Sequence, residues 1–366
     1  MSGSIKSGPQ ENPSKTGRTG PDSQTGAFGD LAGLHHLLTT EVSSNCRKAL
    51  EPVLFSPLRD FSGTGSKKIR AGLVALSLRF SAGMRDISPE ETLAERSVSE
   101  LLETLHAGSL IVDDIQDDAS ERRGKPALHR EIGIPLAINA GGWLYFRAMS
   151  IIPRMNLKPE TELEIYRLSH EALLSGHLGQ ALDIGWQADS LEQDQVRDLS
   201  LGAIELKTGA LMGLAAELGA VIGGASPGIR SALKTFGIEF GSTLQKFNDL
   251  KEFSSAFCGV SQDLLLGRPG WVWAHAARVL PAGEYSRFRD EVRRLRKLKD
   301  EDALACMEAI KRHPVIESAR QAAVECMRSC IRNLKSALEA QDPDFSEHPE
   351  WHRLDELGVK VMEAYV

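Results

Sequence analysis

Residues 113–129 read Asp-Asp-Ile-Gln-Asp-Asp-Ala-Ser-Glu-Arg-Arg-Gly-Lys-Pro-Ala-Leu-His. An apolar run, Leu101-Leu102-Glu103-Thr104-Leu105-His106-Ala107-Gly108-Ser109-Leu110-Ile111-Val112, leads into it. A helix through both stretches sets Asp113 and Asp117 one turn apart, on a face shared with His106 and Leu110. Carboxylates crowded at the end of an apolar run repel one another and lose hydration, so they need cations. Oxygen-only clusters suit hard ions such as Mg²⁺, which take the rest of their shell from water and phosphate. Arg122 and Arg123 follow, and paired guanidinium groups match phosphate oxygens. The stretch thus reads as a helix end built for a metal-bridged diphosphate. A solvated acidic face is the competing reading of the DDxxD spacing alone.

Working outward, apolar residues recur at steps of three and four over Leu31–Val53, Lys67–Ala82, Leu93–Asp118, Pro135–Ile152, Glu160–Leu182, Gln193–Gly219, Ile229–Phe253 and Glu301–Gln341. Gly/Ser/Pro clusters separate several of these, as at Ser62-Gly63-Thr64-Gly65, Gly124-Lys125-Pro126 and Gly267-Arg268-Pro269-Gly270. Alternating β-branched runs are missing, so the pattern predicts an all-α fold around one dominant core.

Of 366 residues, 42% are hydrophobic and 25% charged, enough for a large core. The net charge of −7 lacks the basic footprint of a nucleic-acid binder. Residues 1–28 carry almost no large apolar side chain, and we expect a disordered tail there, followed by one domain over 29–366. The best candidate for a membrane span, Leu206–Gly224, is broken by Lys207 and Glu217, so no integral membrane segment is expected. Five scattered cysteines fit a reducing, cytoplasmic setting.

Further segments add chemistry. Gly65-Ser66-Lys67-Lys68-Ile69-Arg70 opens a helix after a Gly/Ser turn, an anion-binding arrangement. Gly179-Gln180-Ala181-Leu182-Asp183 spaces an amide and an acid three apart. Lys207-Thr208-Gly209 puts a cation in a run of small residues, and Gln245-Lys246-Phe247-Asn248-Asp249-Leu250-Lys251-Glu252 places Gln245, Asn248, Asp249 and Glu252 on one helical face. Asp263-Leu264-Leu265-Leu266-Gly267-Arg268 ends in another cation.

In this order, and from about residue 60 to about residue 275, the segments resemble those of the trans-isoprenyl diphosphate synthases, the farnesyl and geranylgeranyl diphosphate synthase family. Asp113–Gly124 matches that family's first aspartate-rich motif without insertion, and Gln245–Glu252 aligns with the second, but with Asn248 and Glu252 where aspartates are usual. Ser66, Lys68 and Ala71 depart from the Gly-Gly-Lys-Arg-x-Arg motif, and Arg268 stands for lysine.

The resemblance implies a single large helical bundle of the isoprenoid synthase type and a homodimer. It implies head-to-tail transfer of isopentenyl diphosphate onto dimethylallyl, geranyl or farnesyl diphosphate, with two or three Mg²⁺ held by Asp113, Asp117, Asp249, Asn248 and Glu252. Asp113, Asp114, Asp117, Arg122, Lys207, Thr208, Gln245 and Arg268 would serve ionisation of the allylic substrate. Lys67, Arg70, His106, Arg122, Arg123 and Lys207 would hold the diphosphates. Small residues at Ser109 and Gly108, four and five before Asp113, would let the tail grow to C20, with C15 second, and Trp143, Tyr145 and Phe146 are candidates for a floor. The altered second motif leaves room for a class I terpene cyclase or a prenyltransferase with another acceptor. A regulatory subunit of a partner synthase is a third possibility.

Overall fold

The computed structural model describes residues 43–62, 69–254 and 256–363. The expected tail over 1–28, most of the segment expected to be helical over Leu31–Val53, and Lys67 lie outside them. α1 (Ser44–Leu50) passes through a wide turn into α2 (Ser56–Ser62), followed by α3 (Ile69–Ala82) and α4 (Pro89–Gln116). A two-stranded hairpin comes next, β1 (Glu121–Arg122) and β2 (Lys125–Pro126), then α5 (Leu128–Ile132), α6 (Ile134–Met149) and α7 (Pro159–Gly185). The remaining helices are α8 (Gln193–Ile204), α9 (Ala210–Ile222), α10 (Pro227–Lys251), α11 (Gln262–Leu266), α12 (Trp271–Val279), α13 (Ala282–Leu295), α14 (Asp300–Lys311), α15 (Pro314–Glu339) and α16 (Glu350–Glu363).

α4 begins at a capping box: Ser88 Oγ accepts from the Glu91 amide, and the Glu91 carboxylate accepts from the Ser88 amide, with Pro89 in the first turn. It ends at Gln116, where Asp118 turns left-handed at φ 51°. The hairpin that follows pairs Arg122 with Lys125 across Arg123 (φ 55°) and Gly124 (φ 76°). Two central residues with positive φ are what a two-residue hairpin turn demands. The sequence pattern did not foresee it, since four paired residues are too few to show alternation.

α9 is the buried axis, with every residue from Met212 to Val221 buried between α3, α7 and α10. Its neighbours come close because small residues line the crossings. A Cβ on Gly237 of α10 would lie 2.6 Å from the Met212 carbonyl oxygen. α10 packs in turn on α15. A smaller apolar cluster, including Leu58, Ile111, Leu128, Ala140 and Leu144, ties α2 and α5 to the α4–α6 pair.

Two expectations need correction. Glu301–Gln341 is two helices, because Pro314 cannot continue α14 and instead starts α15 behind the His313 cap. The run Gln193–Ile222, with a wide turn at Glu205–Gly209, is long and apolar enough to cross a membrane, whereas no such segment was expected. It is half buried in the protein, and the charges in its apolar part, Lys207 and Glu217, are paired: Lys207 with Asp183, and Glu217 with Lys234 and Arg230. These are the marks of a core helix.

Candidate active site

Six elements deliver charged side chains to one end of the bundle: the C-termini of α4 and α7, the hairpin, the Glu205–Gly209 turn, the end of α10, and α11 with the loop after it. Lys207 Nζ lies 3.6 Å from Asp113 Oδ2 and 3.0 Å from Asp183 Oδ2. Arg268 pairs with Asp117 and donates to the Asp183 carbonyl at 3.3 Å. Both cations thus bridge α4 to the end of α7. Burial alone would lower the Lys207 ammonium, but the carboxylates of Asp113 and Asp183 reverse this and its pKa is raised. Burial raises Asp113, and the neighbouring Asp117 and Asp183 charges add to it, against Lys207.

Asp114 has a different place from its neighbours. It is fully buried, and its two oxygens accept from Arg122 Nε at 2.9 and 3.1 Å. It therefore orients Arg122 and does not present a free carboxylate beside Asp113 and Asp117, which corrects its expected role in ionisation.

Thr208 Oγ1 donates to Gln245 Oε1 at 2.9 Å, Gln245 Nε2 to Asp249 Oδ1 at 2.8 Å, and the Trp271 amide to Asp249 Oδ2 at 2.7 Å. Gly270 permits that approach, since a Cβ there would sit 3.0 Å from Asp249 Oδ2. Burial pushes Asp249 up to about 6 despite these donors. Ser261 Oγ donates to Glu252 Oε2 at 2.5 Å and also caps α11, so Glu252 anchors the loop that carries Arg268. Asn248 is exposed on the same α10 terminus.

Asp183 and Asp263 were not among the expected charged residues of the site. Desolvation, with the charges of Asp249, Glu252, Asp183 and Asp117, pushes Asp263 up to about 8. The Asp-x-x-x-Gly-Arg and Gly-Gln-x-x-Asp spacings were the available signals. The bowl therefore gathers Asp113, Asp117, Asp183, Asp249, Glu252 and Asp263 around Lys207 and Arg268. Among the described residues no three acid, His or Cys side chains converge on one point, so the acids line a bowl and do not form a closed cage.

Beside it lies a second basic region. His106 is held well below its usual pKa by burial and by the charges of Arg70, Arg123 and Arg122, so these four share one neighbourhood. Arg70 is forked onto Glu103 through Nε and one terminal nitrogen, with both contacts at 3.0 Å.

Under the acids runs a pocket that opens to solvent between α4 and α7. Leu105, Ser109, Val112, Asp113 and Gln116 of α4 face Ala172, Leu173, Gly176, His177 and Gln180 of α7, with Tyr145, Lys207 and Leu211 completing the wall. Ser109 is where the sequence put it. Gly108 is not: a Cβ there would meet the Gly141 carbonyl at 3.0 Å, Leu144 at 3.2 Å and the Tyr145 ring at 3.3 Å, so Gly108 is a crossing point of α4 and α6. Of the candidate floor residues, Tyr145 lines the pocket and stacks edge-on to His177 at 5.5 Å. Trp143 packs on Phe55, and Phe146 is exposed.

The charged bowl and the apolar pocket adjoin, sharing Asp113 and Lys207. Residues 51–310 match the model of the polyprenyl synthetase family. The chain belongs to the polyprenyl synthetase family. Its reaction class is trans-prenyl transfer. Similar curated proteins of this family include a short chain isoprenyl diphosphate synthase of Methanothermobacter thermautotrophicus, 31% identical over 76% of this chain and 82% of that one. A geranylgeranyl pyrophosphate synthase of Aspergillus versicolor is 27% identical over 82% and 74%. The fold is that of a solved decaprenyl diphosphate synthase from Rhodobacter capsulatus, with TM-score 0.71 and 21% identity over 92% of this chain and 94% of that one. A geranylgeranyl pyrophosphate synthetase from Pyrococcus horikoshii has TM-score 0.67 and 22% identity over 85% and 90%. Products of different length are named among these polyprenyl synthetases, so chain length has to be argued from the pocket.

Proposed function

We propose that the protein condenses isopentenyl diphosphate with an allylic diphosphate to make geranylgeranyl diphosphate. The observation that carries this is the acid bowl opening directly onto the apolar pocket, with Asp113 and Lys207 belonging to both. A diphosphate in the bowl would hang its prenyl tail between α4 and α7.

The donor set suits Mg²⁺: six carboxylates outnumber the three cations Lys207, Arg268 and Arg122, and an open bowl leaves coordination positions for water and phosphate. Asp113 and Asp117 would hold the ions, with Asp249, Asn248 and Glu252 opposite. Bound there, Mg²⁺ would neutralise the charge that develops on the leaving diphosphate. Lys207, Arg268 and Arg122 add fixed positive charge at the same place, stabilisation that needs no reorganisation as the C–O bond ionises. The Thr208–Gln245 pair follows Lys207 in the same turn, and the Thr208 oxygen would lie near the developing allylic cation. The apolar walls keep water from the cation. His106, neutral at physiological pH, would bind isopentenyl diphosphate with Arg70, Arg123 and Lys67.

Leu105 lines the pocket one helical turn before Ser109 on α4, farther from the acids, which supports C20 over C15. The pocket also reaches His177, which is exposed on a face where Ile138, Phe146, Leu174 and Leu178 are each more than half exposed. This supports a homodimer in which a second copy covers the pocket's flank. Five unpaired thiols support a reducing, cytoplasmic setting.

The test is incubation with Mg²⁺, isopentenyl diphosphate and dimethylallyl, geranyl or farnesyl diphosphate in turn, with product length read by chromatography. A C20 diphosphate is expected. A cyclic hydrocarbon from geranylgeranyl diphosphate alone would favour a cyclase. Activity only on addition of another synthase would favour a regulatory subunit.

A further inference from the structure

The prenyl-transfer reading uses the acids above the pocket and the apolar walls below it, but not the boundary between them. That boundary is an amide pair. Gln180 Nε2 of α7 donates to Gln116 Oε1 of α4 at 2.7 Å. Both side chains line the pocket together with Asp113 and Lys207. Gln116 is one turn beyond Asp113 on the pocket face of α4, and Gln180 is one turn before Asp183 on α7. The bond therefore ties the two long walls together, from Gln116 between Asp113 and Asp117 on α4 to Gln180 one turn on the apolar side of Asp183 on α7. Among the described residues the buried Gln180 Oε1 has no hydrogen-bond partner, so the bond to Gln116 is what orients this amide. An amide acceptor left unpaired in the interior costs about 1–3 kcal/mol, and a position retained at that cost is one held for its geometry.

We propose that the Gln116–Gln180 clasp is a collar that fixes the first isoprenyl unit of the allylic substrate, and so determines how well short primers are used. This rests on the prenyl-transfer reading of the same site. Every allylic diphosphate, whatever its length, puts its first five-carbon unit at the collar when its diphosphate is in the bowl. Dimethylallyl diphosphate has nothing more, and its position depends on the collar. Farnesyl diphosphate gains two further units against Leu105, Leu173, Tyr145 and Leu211, which hold it in line whether or not the collar is closed. Loss of the clasp should therefore penalise short primers selectively. Gln116 and Gln180 act here as positioning residues and are given no role in proton or charge transfer.

The experiment compares wild type with Gln116→Met, Gln180→Met and the double variant, each of similar volume but without the amide bond. KM and kcat are measured for dimethylallyl, geranyl and farnesyl diphosphate and for isopentenyl diphosphate. Either single variant should raise KM for dimethylallyl diphosphate about five- to tenfold, the worth of one hydrogen bond, and that for farnesyl diphosphate less than about twofold. KM for isopentenyl diphosphate should not move. The double variant should be no worse than either single one, because both remove the same bond. Equal penalties across the primers, a change in KM for isopentenyl diphosphate, or singles whose effects multiply in the double variant would overturn the collar while leaving prenyl transfer intact. A wild-type protein that turns over none of the primers would overturn both. Thermal unfolding of each variant identifies misfolding, and if Gln180→Met unfolds early the exposed Gln116→Met decides the matter alone.

Discussion

Asp113 and Asp117 turn toward Lys207 and Arg268, while Asp114, between them in sequence, turns into the protein and fixes Arg122. Asp113→Ala and Asp117→Ala should each lower kcat by at least about a thousandfold, the scale of removing a principal electrostatic contribution, with little change in Tm. Near-normal turnover of either variant at saturating Mg²⁺ would refute the metal assignment. Asp263 makes a prediction about pH. Desolvation among like charges pushes its carboxyl up to about 8 from 3.8, although one side of Asp263 stays open to solvent, which tempers the effect. Below about pH 4 the proton is bound in both states and the shift favours the fold in full; the advantage fades as pH rises and is gone above 8. Metal-free protein should therefore lose Tm between pH 5 and pH 8.5, and Asp263→Asn should flatten that slope, as scanning calorimetry at the two pH values will reveal. What was legible in the sequence at this scale is the set of acids and cations whose spacing is local: Asp113 and Asp117 are one turn apart on one helix. Asp183 and Asp263 join them only because α7 and the loop after α11 fold back onto α4, a tertiary fact with no local period.

Helix periodicity found most of the elements, because an amphipathic stripe is a property of a single segment. It merged α14 and α15 because the apolar period survives across Pro314, and it missed the hairpin because four residues carry no period at all. Gly108 illustrates a different failure. Reading only α4, a small residue one turn before Asp113 looks like an open channel, yet the space over Gly108 is already filled from α6 by the Gly141 backbone and the Tyr145 ring. Gly108→Phe should therefore separate α4 from α6 and destabilise the protein by about 3 kcal/mol or more, the upper range for overpacking, rather than simply shorten the product. Ser109 faces the pocket, so Ser109→Phe should shorten the main product from C20 to C15 or less with stability nearly preserved. Urea unfolding and product chromatography on both variants separate the two effects. A shortened product from a stable Gly108→Phe would show that the pocket bends toward α6.

At the scale of the whole molecule, one feature of α6 and α7 is not accounted for by the core. Ile134, Ile138 and Phe146 recur at steps of four and eight on α6 and are 50%, 56% and 79% exposed, and Leu174 and Leu178 on α7 are 55% and 62% exposed. Gly142 and Gly176, on the same two helices, have nothing within 4 Å of where a Cβ would stand, so neither carries a side chain that would hold a neighbour off. Adjacent apolar stripes exposed this far mark an interaction surface. A two-fold axis would let the same patch meet itself, as closed homodimers require. The patch adjoins His177 at the pocket wall, so the partner copy would seal the flank through which water otherwise reaches the prenyl tail. Phe146→Asp combined with Leu178→Asp places two charges on each side of such an interface, where like charges would face each other without compensation. The wild-type chain should scatter light as twice 39.9 kDa, and the double variant as 39.9 kDa. If the partner seals the pocket, the monomeric variant should still bind diphosphate but lose turnover, and should do so most with farnesyl diphosphate, whose tail runs farthest along the exposed flank. A wild-type monomer with full activity would remove the dimer from the account and leave the bowl and pocket of a single chain as the complete site.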